Sequence, residues 1–151
     1  MNLSRLAIEG GSPVRKTPWR ALERADEVTR AHLLDALESD VWSNGRHVES
    51  FERAFAEMLE CEFAHLTVNA TTALKLALLA LDIGPQDEVI LPALTFPSVA
   101  LAVLECGAVP VICDVDPNTY CMSAVTVAPA ITSRTRAVLP THLYCGLCDM
   151  P

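Results

Sequence analysis

The stretch that decides the fold is NATTALKLALLALDIGPQDEVILPALTFPSVALAVLECGAVPVICDVD, residues 69–116. It predicts a helix, a strand, a second helix and a second strand, with Gly84 and Gly107 ending the two helices. The first helix is apolar on almost every side from Ala73 to Leu81, which is typical of a buried helix. Such alternation favours right-handed β-α-β units. The sequence therefore predicts an α/β fold with a mainly parallel sheet and flanking helices.

Further elements are predicted on both sides of this stretch. Residues 1–20 combine Gly, Pro and charge without periodicity, so we interpret them as an N-terminal arm before a single domain, residues 21–151. Either Asn69 or Thr71 is suited to cap the first helix of the quoted stretch. The other predicted helices cover residues 22–37, 48–59, 96–106 and 123–131, and the predicted strands cover residues 64–68, 88–91, 109–114 and 136–141.

Composition favours some classes of partner over others. The 151 residues carry 11 Lys and Arg against 19 Asp and Glu, a net charge of −8, with no basic cluster. This charge disfavours binding to nucleic acid or to an anionic membrane surface. Apolar runs are interrupted well before membrane-spanning length, and the start does not resemble a signal peptide. We expect a soluble cytoplasmic protein with neither nucleic acid nor membrane as a partner.

Six cysteines raise the question of thiol chemistry. A disulfide framework suits small secreted chains poor in other apolar residues, whereas this chain is rich in Leu, Ala and Val, so we expect reduced, structural cysteines. Cys145 and Cys148 form a C-x-x-C pair, which is compatible with a redox couple or half of a zinc site. His142 and these two thiols give only three close ligand candidates. We therefore predict no metal and no thiol exchange there.

Three strand-to-helix junctions are candidates for ligand binding, because ligands of open α/β sheets gather where strands end. In TVNATTA, residues 67–73, the first helix amides suit a phosphate, although simple capping is the alternative. After the next strand, Thr95 and Phe96 suit a flat cofactor ring, although Phe96 also suits the core. Asp114 and Asp116 suit a metal or acid–base pair, although loop capping is the alternative. The common nucleotide and hydrolase motifs are absent, so spacing alone predicts only a phosphate-binding α/β domain.

Several stretches, taken in order, resemble the DegT/DnrJ/EryC1/StrS family of PLP-dependent sugar aminotransferases, in particular its StrS-like branch. The similar stretches are LAIEGGSPVRKTPW at residues 6–19, WSNGRHVESFERAFAEML at residues 42–59, the block at residues 68–122, and ITSRTRAVLPTHLYCGLCDM at residues 131–150. The resemblance implies the N-terminal part of an aspartate aminotransferase-like, fold type I large domain. It also implies amino transfer from glutamate or glutamine to a keto-sugar or cyclitol, in a homodimer.

The resemblance implies roles for individual residues. Ala70 and Thr71 match the turn that binds the phosphate of pyridoxal 5'-phosphate (PLP), and Phe96 matches the aromatic residue that stacks on its pyridine ring. Asn44 and His142 are weaker candidates for substrate contact, and a structural role is the alternative for His142. Cys145 and Cys148 fall on variable positions of the family pattern, and no metal is implied.

The resemblance also implies that catalysis needs a lysine that forms a Schiff base with PLP, supplied by a segment beyond residue 151. Only Lys16 and Lys75 occur in this sequence, and neither matches that position. We therefore expect a truncated chain that lacks the rest of the large domain and the small C-terminal domain, and that is inactive alone. The alternatives are a non-enzymatic relic that pairs with a full-length homologue and, less favoured, a C-x-x-C metal or redox module.

Overall fold

The structure is a computed structural model that describes residues 7–13, 15–18 and 25–150. The chain divides into two compact units, residues 1–51 and residues 52–151. The boundary that the sequence predicts between an arm and a domain lies outside the described residues and stays a prediction. No helix in the described part of the chain has the length and apolar character needed to cross a membrane.

The first unit holds one complete α-helix and the beginning of another. These are α1, Glu27–Glu38, and α2, Arg46–Met58, which continues into the second unit. A side-chain oxygen of Asp26 accepts a hydrogen bond of 2.7 Å from the N–H of Thr29, and this cap starts α1. The sequence predicts that this helix begins at Leu22, which lies outside the described residues. Residues 25 and 26 are not helical, so this part of the prediction is wrong. The helix predicted over residues 48–59 is confirmed as α2, which begins two residues before the predicted start.

The second unit is built on a three-stranded parallel sheet in the order β2-β1-β3. Its strands are β1, Glu88–Pro92, β2, Val109–Cys113, and β3, Thr135–Val138. Its helices are α3, Ala70–Ala80, α4, Ser98–Glu105, and the single-turn α5, Ala124–Val127, which continues as a 3-10 turn, Ala128–Ala130. The predicted α/β class and parallel sheet are confirmed.

The central strand β1 divides the core into two layers. Val89 and Leu91 face one side of the sheet and Ile90 faces the other, as the alternation of side chains in a strand requires. The first layer includes Leu78 of α3 and Val103 of α4. The second layer is smaller and packs Ile90 against Cys113, Met122, Val127 and Ala130. Both faces of β1 are therefore excluded from water.

Helices α3 and α4 run in the same direction. Helix α4 joins two parallel strands, so it begins at the carboxyl edge of the sheet and ends at the amino edge. Two contacts place the end of α4 beside the middle of α3. Lys75 Nζ is 3.1 Å from Glu105 Oε2, and the Cys106 thiol donates to the Lys75 carbonyl oxygen. The segment after α3 leads to the amino end of β1 at Glu88. The amino end of α3, at Ala70, therefore points toward the carboxyl edge.

The prediction that α3 is buried on almost all sides is wrong. Leu78 is its one fully buried residue, whereas Leu76 and Leu79 are 49% and 45% exposed. The physical reason is that α4 and the sheet cover a single face of α3 within the described residues. An apolar composition alone does not indicate what packs on the remaining faces.

The prediction of a strand over residues 64–68 is also wrong. The residues form no strand, and the described sheet contains only β1, β2 and β3. A strand requires backbone hydrogen bonds to a neighbouring strand. Here the N–H of Leu66 donates instead to a carboxylate oxygen of Glu52, at 2.8 Å.

Several boundaries differ from those predicted. Helix α3 ends at Ala80 rather than at Gly84, because Asp82 takes a left-handed φ of 55° and Ile83 N–H donates to the Leu78 carbonyl. Strand β3 ends before Pro140, which has no N–H to continue the ladder, so the predicted end at residue 141 is wrong. Helix α4 begins at Ser98 rather than at residue 96, and the predicted helix over residues 123–131 is a capped single turn followed by the 3-10 turn.

A buried carboxylate fixes the amino edge of the sheet. The side chain of Glu88 is 5% exposed, and it accepts hydrogen bonds from the Thr132 hydroxyl and the Arg134 guanidinium. The hydrogen bond from Thr132, followed by those from Arg134, holds the pKa of Glu88 below its usual range, against the opposing effect of burial. The Glu88 N–H also donates to the Arg134 carbonyl, at 2.9 Å. Side chain and backbone together tie β1 to the turn before β3.

We expect Glu88→Gln to destabilise the chain at pH 7, because an amide replaces a buried carboxylate whose partners are both donors. The folded-state pKa of Glu88 is lowered, so its contribution to stability is present above the unfolded-state pKa of about 4.5 and is lost as pH falls below that value. Urea unfolding of both proteins at pH 7 and pH 4 measures this difference, which should shrink at pH 4. Glu62→Gln, at an exposed position, is the control; equal unfolding midpoints for Glu88→Gln and the wild type at pH 7 would contradict the assignment.

Candidate functional site

The amino end of α3 is an exposed helix start with unused backbone donors. Asn69 has extended backbone angles, and its side-chain oxygen accepts a hydrogen bond of 2.9 Å from the N–H of Thr72. The N–H groups of Ala70 and Thr71 have no acceptor among the described residues, as is usual for the first amides of a helix. Ala70 is exposed and Thr71 is half-buried. Of the two predicted caps, Asn69 is therefore the one the structure uses.

The charge at this helix start suits an anion. The first turn of α3 contains no acidic residue, and its cap Asn69 is neutral. Helix α1 differs, because it is capped by Asp26 and begins with Glu27. The helix dipole places partial positive charge at both starts, but only in α3 is that charge left without a neighbouring carboxylate of the helix or its cap. The sequence segment at 69–72 thus provides donors and a favourable potential for a phosphate.

A second group of residues lies where β1 and β3 end. The hydroxyl oxygens of Thr95 and Thr141 are 3.0 Å apart, and this hydrogen bond joins the loops that follow the two strands. The next residues in the chain are Phe96 and His142, which are therefore brought into neighbouring loops. The ring of Phe96 is 73% exposed, so it does not belong to the core. The core alternative for Phe96 is thereby corrected, because α4 begins two residues later, at Ser98, and turns Val99, not Phe96, inward.

His142 makes a structural hydrogen bond. Its Nδ1 accepts from the N–H of Cys148 at 3.0 Å, so that nitrogen is unprotonated in this arrangement and the proton of the neutral ring is on Nε2. The residue as a whole is exposed. Its proposed substrate contact stays a prediction, and the structural alternative has a specific partner.

The loop after β2 shows local capping. Asp114 accepts a hydrogen bond from the N–H of Val115, and Asp116 accepts from the N–H groups of Asn118 and Thr119. Both carboxylates thus satisfy backbone donors of their own loop. Among the described residues, no three His, Cys, Asp or Glu side chains come together as metal ligands.

Asn44 belongs to the first unit, in the turn between α1 and α2. It takes a left-handed φ of 51° and lines a groove of about 860 Å³ with Leu33, Leu37 and Trp42. The turn is held by Asp35, which accepts from the Arg46 guanidinium and lies 2.7 Å from His47 Nε2. The hydrogen bond from Arg46 lowers the pKa of Asp35, and the contact with His47 acts in the same direction.

The two members of the C-x-x-C pair occupy different surroundings. Cys145 is exposed and takes a left-handed φ of 64°, whereas Cys148 is buried and donates from its thiol to the Thr141 carbonyl oxygen. All six cysteines are unpaired. The pair therefore does not present two thiols to a common point.

Helix amides without acceptors among the described residues and an exposed aromatic ring, both beyond the strands of a parallel sheet, are typical of α/β domains that bind phosphate-bearing ligands. Residues 23–151 match the model of the DegT/DnrJ/EryC1/StrS aminotransferase family, and the chain belongs to that family. The sequence-based identification is confirmed.

Individual relatives show how much of the family is represented. GDP-perosamine synthase of Caulobacter vibrioides is 44% identical over 131 residues, covering 86% of this chain and 35% of the relative. L-glutamine:2-deoxy-scyllo-inosose aminotransferase of Streptomyces fradiae is 39% identical over 155 residues, covering 98% of this chain and 37% of the relative. The chain thus spans about a third of the length of these curated relatives.

A solved structure supports the fold and the cofactor class. NtdA from Bacillus subtilis, with bound cofactor PMP, superposes with a TM-score of 0.72 and 36% sequence identity, covering 76% of this chain and 26% of that chain. The predicted fold, part of a PLP-dependent aminotransferase large domain, is confirmed. The roles of Ala70, Thr71, Phe96, Asn44 and His142 stay predictions.

The structure adds one feature that sequence reasoning missed. Thr95 was a candidate on its own, but its partner Thr141 lies 46 residues later, and nothing in the local pattern connects the two. The signal that could have found the pair is the parallel order β2-β1-β3, which places the ends of β1 and β3 side by side.

We expect Asn69→Ala to destabilise the second unit by about 1 kcal/mol, because the substitution removes the side-chain acceptor that caps α3. Asn69→Asp should keep the cap and the stability, since a carboxylate accepts the same hydrogen bond and interacts favourably with the helix dipole. Chemical unfolding of the three proteins measures the difference. An unfolding free energy for Asn69→Ala equal to that of the wild type would contradict the capping role.

Proposed function

We propose that this chain supplies the cofactor-phosphate part of a PLP-dependent aminotransferase that acts on keto-sugars or keto-cyclitols. The observation that carries the proposal is the start of α3, where a neutral cap leaves two amides without an acceptor among the described residues. Family membership and the two sugar and cyclitol relatives support the substrate class. Glutamine as the amino donor is supported by the printed activity of the Streptomyces fradiae relative.

The residues present fit the phosphate group of PLP. Two backbone N–H groups, those of Ala70 and Thr71, and the hydroxyl of Thr71 can donate to its oxygens. The site needs no basic side chain, because the amino end of a helix is itself an anion-binding element. This also explains how a chain with a net charge of −8 offers a site to a dianion, since the potential that matters is local.

The exposed ring of Phe96 fits the aromatic ring of the cofactor. Because Phe96 is 73% exposed, its apolar surface is in contact with water unless something covers it. The hydrogen bond between Thr95 and Thr141 restricts the backbone next to Phe96, so the ring is presented from a fixed loop. When bound, PLP supplies an electron sink for the exchange of the amino group.

We further propose that these 151 residues do not transfer amino groups by themselves. Lys75 is paired with Glu105 and lies beside the end of α4, at the amino edge of the sheet, whereas the proposed site is at the other edge. Lys16 lies in the first unit. Neither lysine of this sequence therefore matches the one that forms the Schiff base and moves the proton in the reaction. Homodimer formation and a cytoplasmic location stay predictions.

We expect PLP phosphate binding to depend on Thr71 and on the charge at the cap. Thr71→Val should weaken binding of PLP about tenfold to a hundredfold, because a hydrogen bond to a charged group is worth about 1.5 to 3 kcal/mol. Thr71→Ser should bind like the wild type, since it keeps the hydroxyl. Asn69→Asp should weaken binding without loss of stability, because it adds a negative charge beside the phosphate. Titration of PLP followed by absorbance or by quenching of fluorescence measures these affinities.

Two further measurements test the proposed site without changing Thr71 or Asn69. Phe96→Ala should weaken PLP binding about threefold to tenfold through loss of ring stacking, worth about 0.5 to 1.5 kcal/mol, whereas Phe63→Ala, also at an exposed Phe, should not. Inorganic phosphate should compete with PLP in the wild type. If PLP binds equally to the wild type, Thr71→Val and Asn69→Asp, the start of α3 is not the phosphate site.

We expect no specific covalent labelling of Lys75 when the chain is incubated with PLP and reduced with borohydride, because its ammonium group is held by Glu105. Peptide mapping by mass spectrometry measures the labelling. Lys75→Arg, which keeps the charge but cannot be labelled, is the control for background. Stoichiometric labelling of Lys75 together with amino transfer from glutamine to a keto-cyclitol would contradict the proposed inactivity.

A further inference from the structure

Two segments that are distant in sequence pack against each other after β2 and β3. The first is the turn at residues 116–122, and the second is the loop at residues 142–148. The rings of Tyr120 and Tyr144 meet edge to face, with centroids 6.3 Å apart. A Cβ atom placed on Gly146 would lie 3.3 Å from the Thr119 carbonyl oxygen and 3.6 Å from the Cys121 sulfur. The loop thus lies directly on the turn, and a side chain at Gly146 would crowd the contact.

Two buried thiols meet inside this contact. Cys121 is 2% exposed and Cys148 is 7% exposed. The Cys121 sulfur lies 3.6 Å from the Cβ position of Gly146, two residues before Cys148, and the Cys121 thiol is near enough to raise the pKa of the Cys148 thiol. The backbone around each is also fixed: the Cys121 carbonyl accepts from Asp116 N–H, and the Cys148 N–H donates to His142 Nδ1. Both cysteines therefore have defined positions rather than mobile ones.

We propose that Cys121 and Cys148 are a site of oxidative cross-linking, which forms a disulfide between the turn at 116–122 and the loop at 142–148. The inference is independent of the proposed function. It departs from the expectation of inert cysteines and from the C-x-x-C interpretation, because the partner of Cys148 is 27 positions away in sequence and not its neighbour Cys145.

The reaction requires an oxidant, and a low-molecular-weight disulfide supplies it. Cys148 loses its proton to solvent, and its thiolate attacks one sulfur of the oxidant, breaking that bond and releasing one thiolate. The Cys121 thiolate then attacks the Cys148 sulfur, forms the protein disulfide and releases the second thiolate. Both released thiolates take up protons. Two protein thiols are oxidised, and one small disulfide is reduced to two thiols.

Because the thiols of Cys121 and Cys148 are buried, we expect them to stay reduced until an oxidant is in excess. Burial raises the pKa of the Cys148 thiol, and the adjacent Cys121 thiol raises it further. Little thiolate is therefore present at neutral pH, and the small disulfide reaches the pair only when the loop opens. Once formed, the bond would hold the loop that carries His142 on the turn.

Chain connectivity alone predicts a different product. In an unfolded chain, closing the short loop between Cys145 and Cys148 costs less conformational entropy than closing the long one between Cys121 and Cys148. The folded structure reverses this preference, because Cys145 points to solvent and Cys148 is buried against Cys121. The identity of the disulfide is therefore a direct test of the contact.

The experiment uses the full chain, treated at pH 8.5 with excess oxidised glutathione and then with iodoacetamide. Chymotryptic cleavage after Tyr120, Tyr144 and Leu147 separates Cys121, Cys145 and Cys148 into different peptides for mass spectrometry. We expect a linked peptide joining Cys121 to Cys148, whereas the exposed Cys61 and Cys145 form at most mixed disulfides with glutathione, which have different peptide masses. The same reaction in 8 M urea, about the concentration that unfolds most domains, should lose this selectivity.

Matched variants assign the outcome. Cys145→Ser should still form the cross-link, whereas Cys121→Ser should form no disulfide between Cys148 and another cysteine of the chain under native conditions. Circular dichroism confirms that each variant is folded, and Cys121→Ala replaces Cys121→Ser if the buried hydroxyl prevents folding. A native product that joins Cys145 to Cys148, or six free thiols after treatment of the wild type, would overturn the proposal.

Discussion

The second unit depends on the parallel pairing of β1 with a strand on each side. Residues 88–92 are buried throughout, and their backbone groups can be satisfied only by neighbouring strands. Just past the ends of the ladders, Leu139 N–H donates to the Ile90 carbonyl and Ala93 N–H donates to the Cys113 carbonyl. Because all three strands run in one direction, everything that follows a strand gathers at one edge, and everything that precedes a strand gathers at the other.

The two edges consequently have different chemistry. At the amino edge, charges are paired within the domain: Glu88 with Arg134 and Thr132, and Lys75 with Glu105. At the carboxyl edge, Thr95 and Thr141 form a neutral pair, and the carboxylates of Asp114 and Asp116 accept from backbone N–H groups instead of pairing with a cation. The side-chain ion pairs of Glu88 and Lys75 and the proposed phosphate site therefore lie at opposite ends of the same sheet.

The elements that could be predicted from the sequence are those specified by local pattern. The apolar run at β1, the capping residue Asn69 and Gly107 at the end of α4 each act within a few residues, and the structure contains all of them. Residues 64–68 could not be assigned correctly, because a strand exists only where a partner strand is available. The exposed sides of α3 were missed for a related reason, since apolar composition does not specify a packing partner. The contacts of Thr95 with Thr141 and of Cys121 with Cys148 depend on topology and have no local signature.

The contrast between α1 and α3 shows why the candidate site depends on the identity of one capping residue. Aspartate and asparagine cap a helix about equally well, so stability alone does not discriminate between Asp26 and Asn69. They differ in charge: Asp26 neutralises the partial positive charge of its helix start, and the pKa of Asp26 is lowered chiefly by the hydrogen bonds from Thr29. Asn69 accepts the corresponding hydrogen bond of its own helix, from the N–H of Thr72, without neutralising the partial positive charge. In an acidic chain, the neutral cap of α3 thus preserves the partial positive charge on which the proposed phosphate site depends.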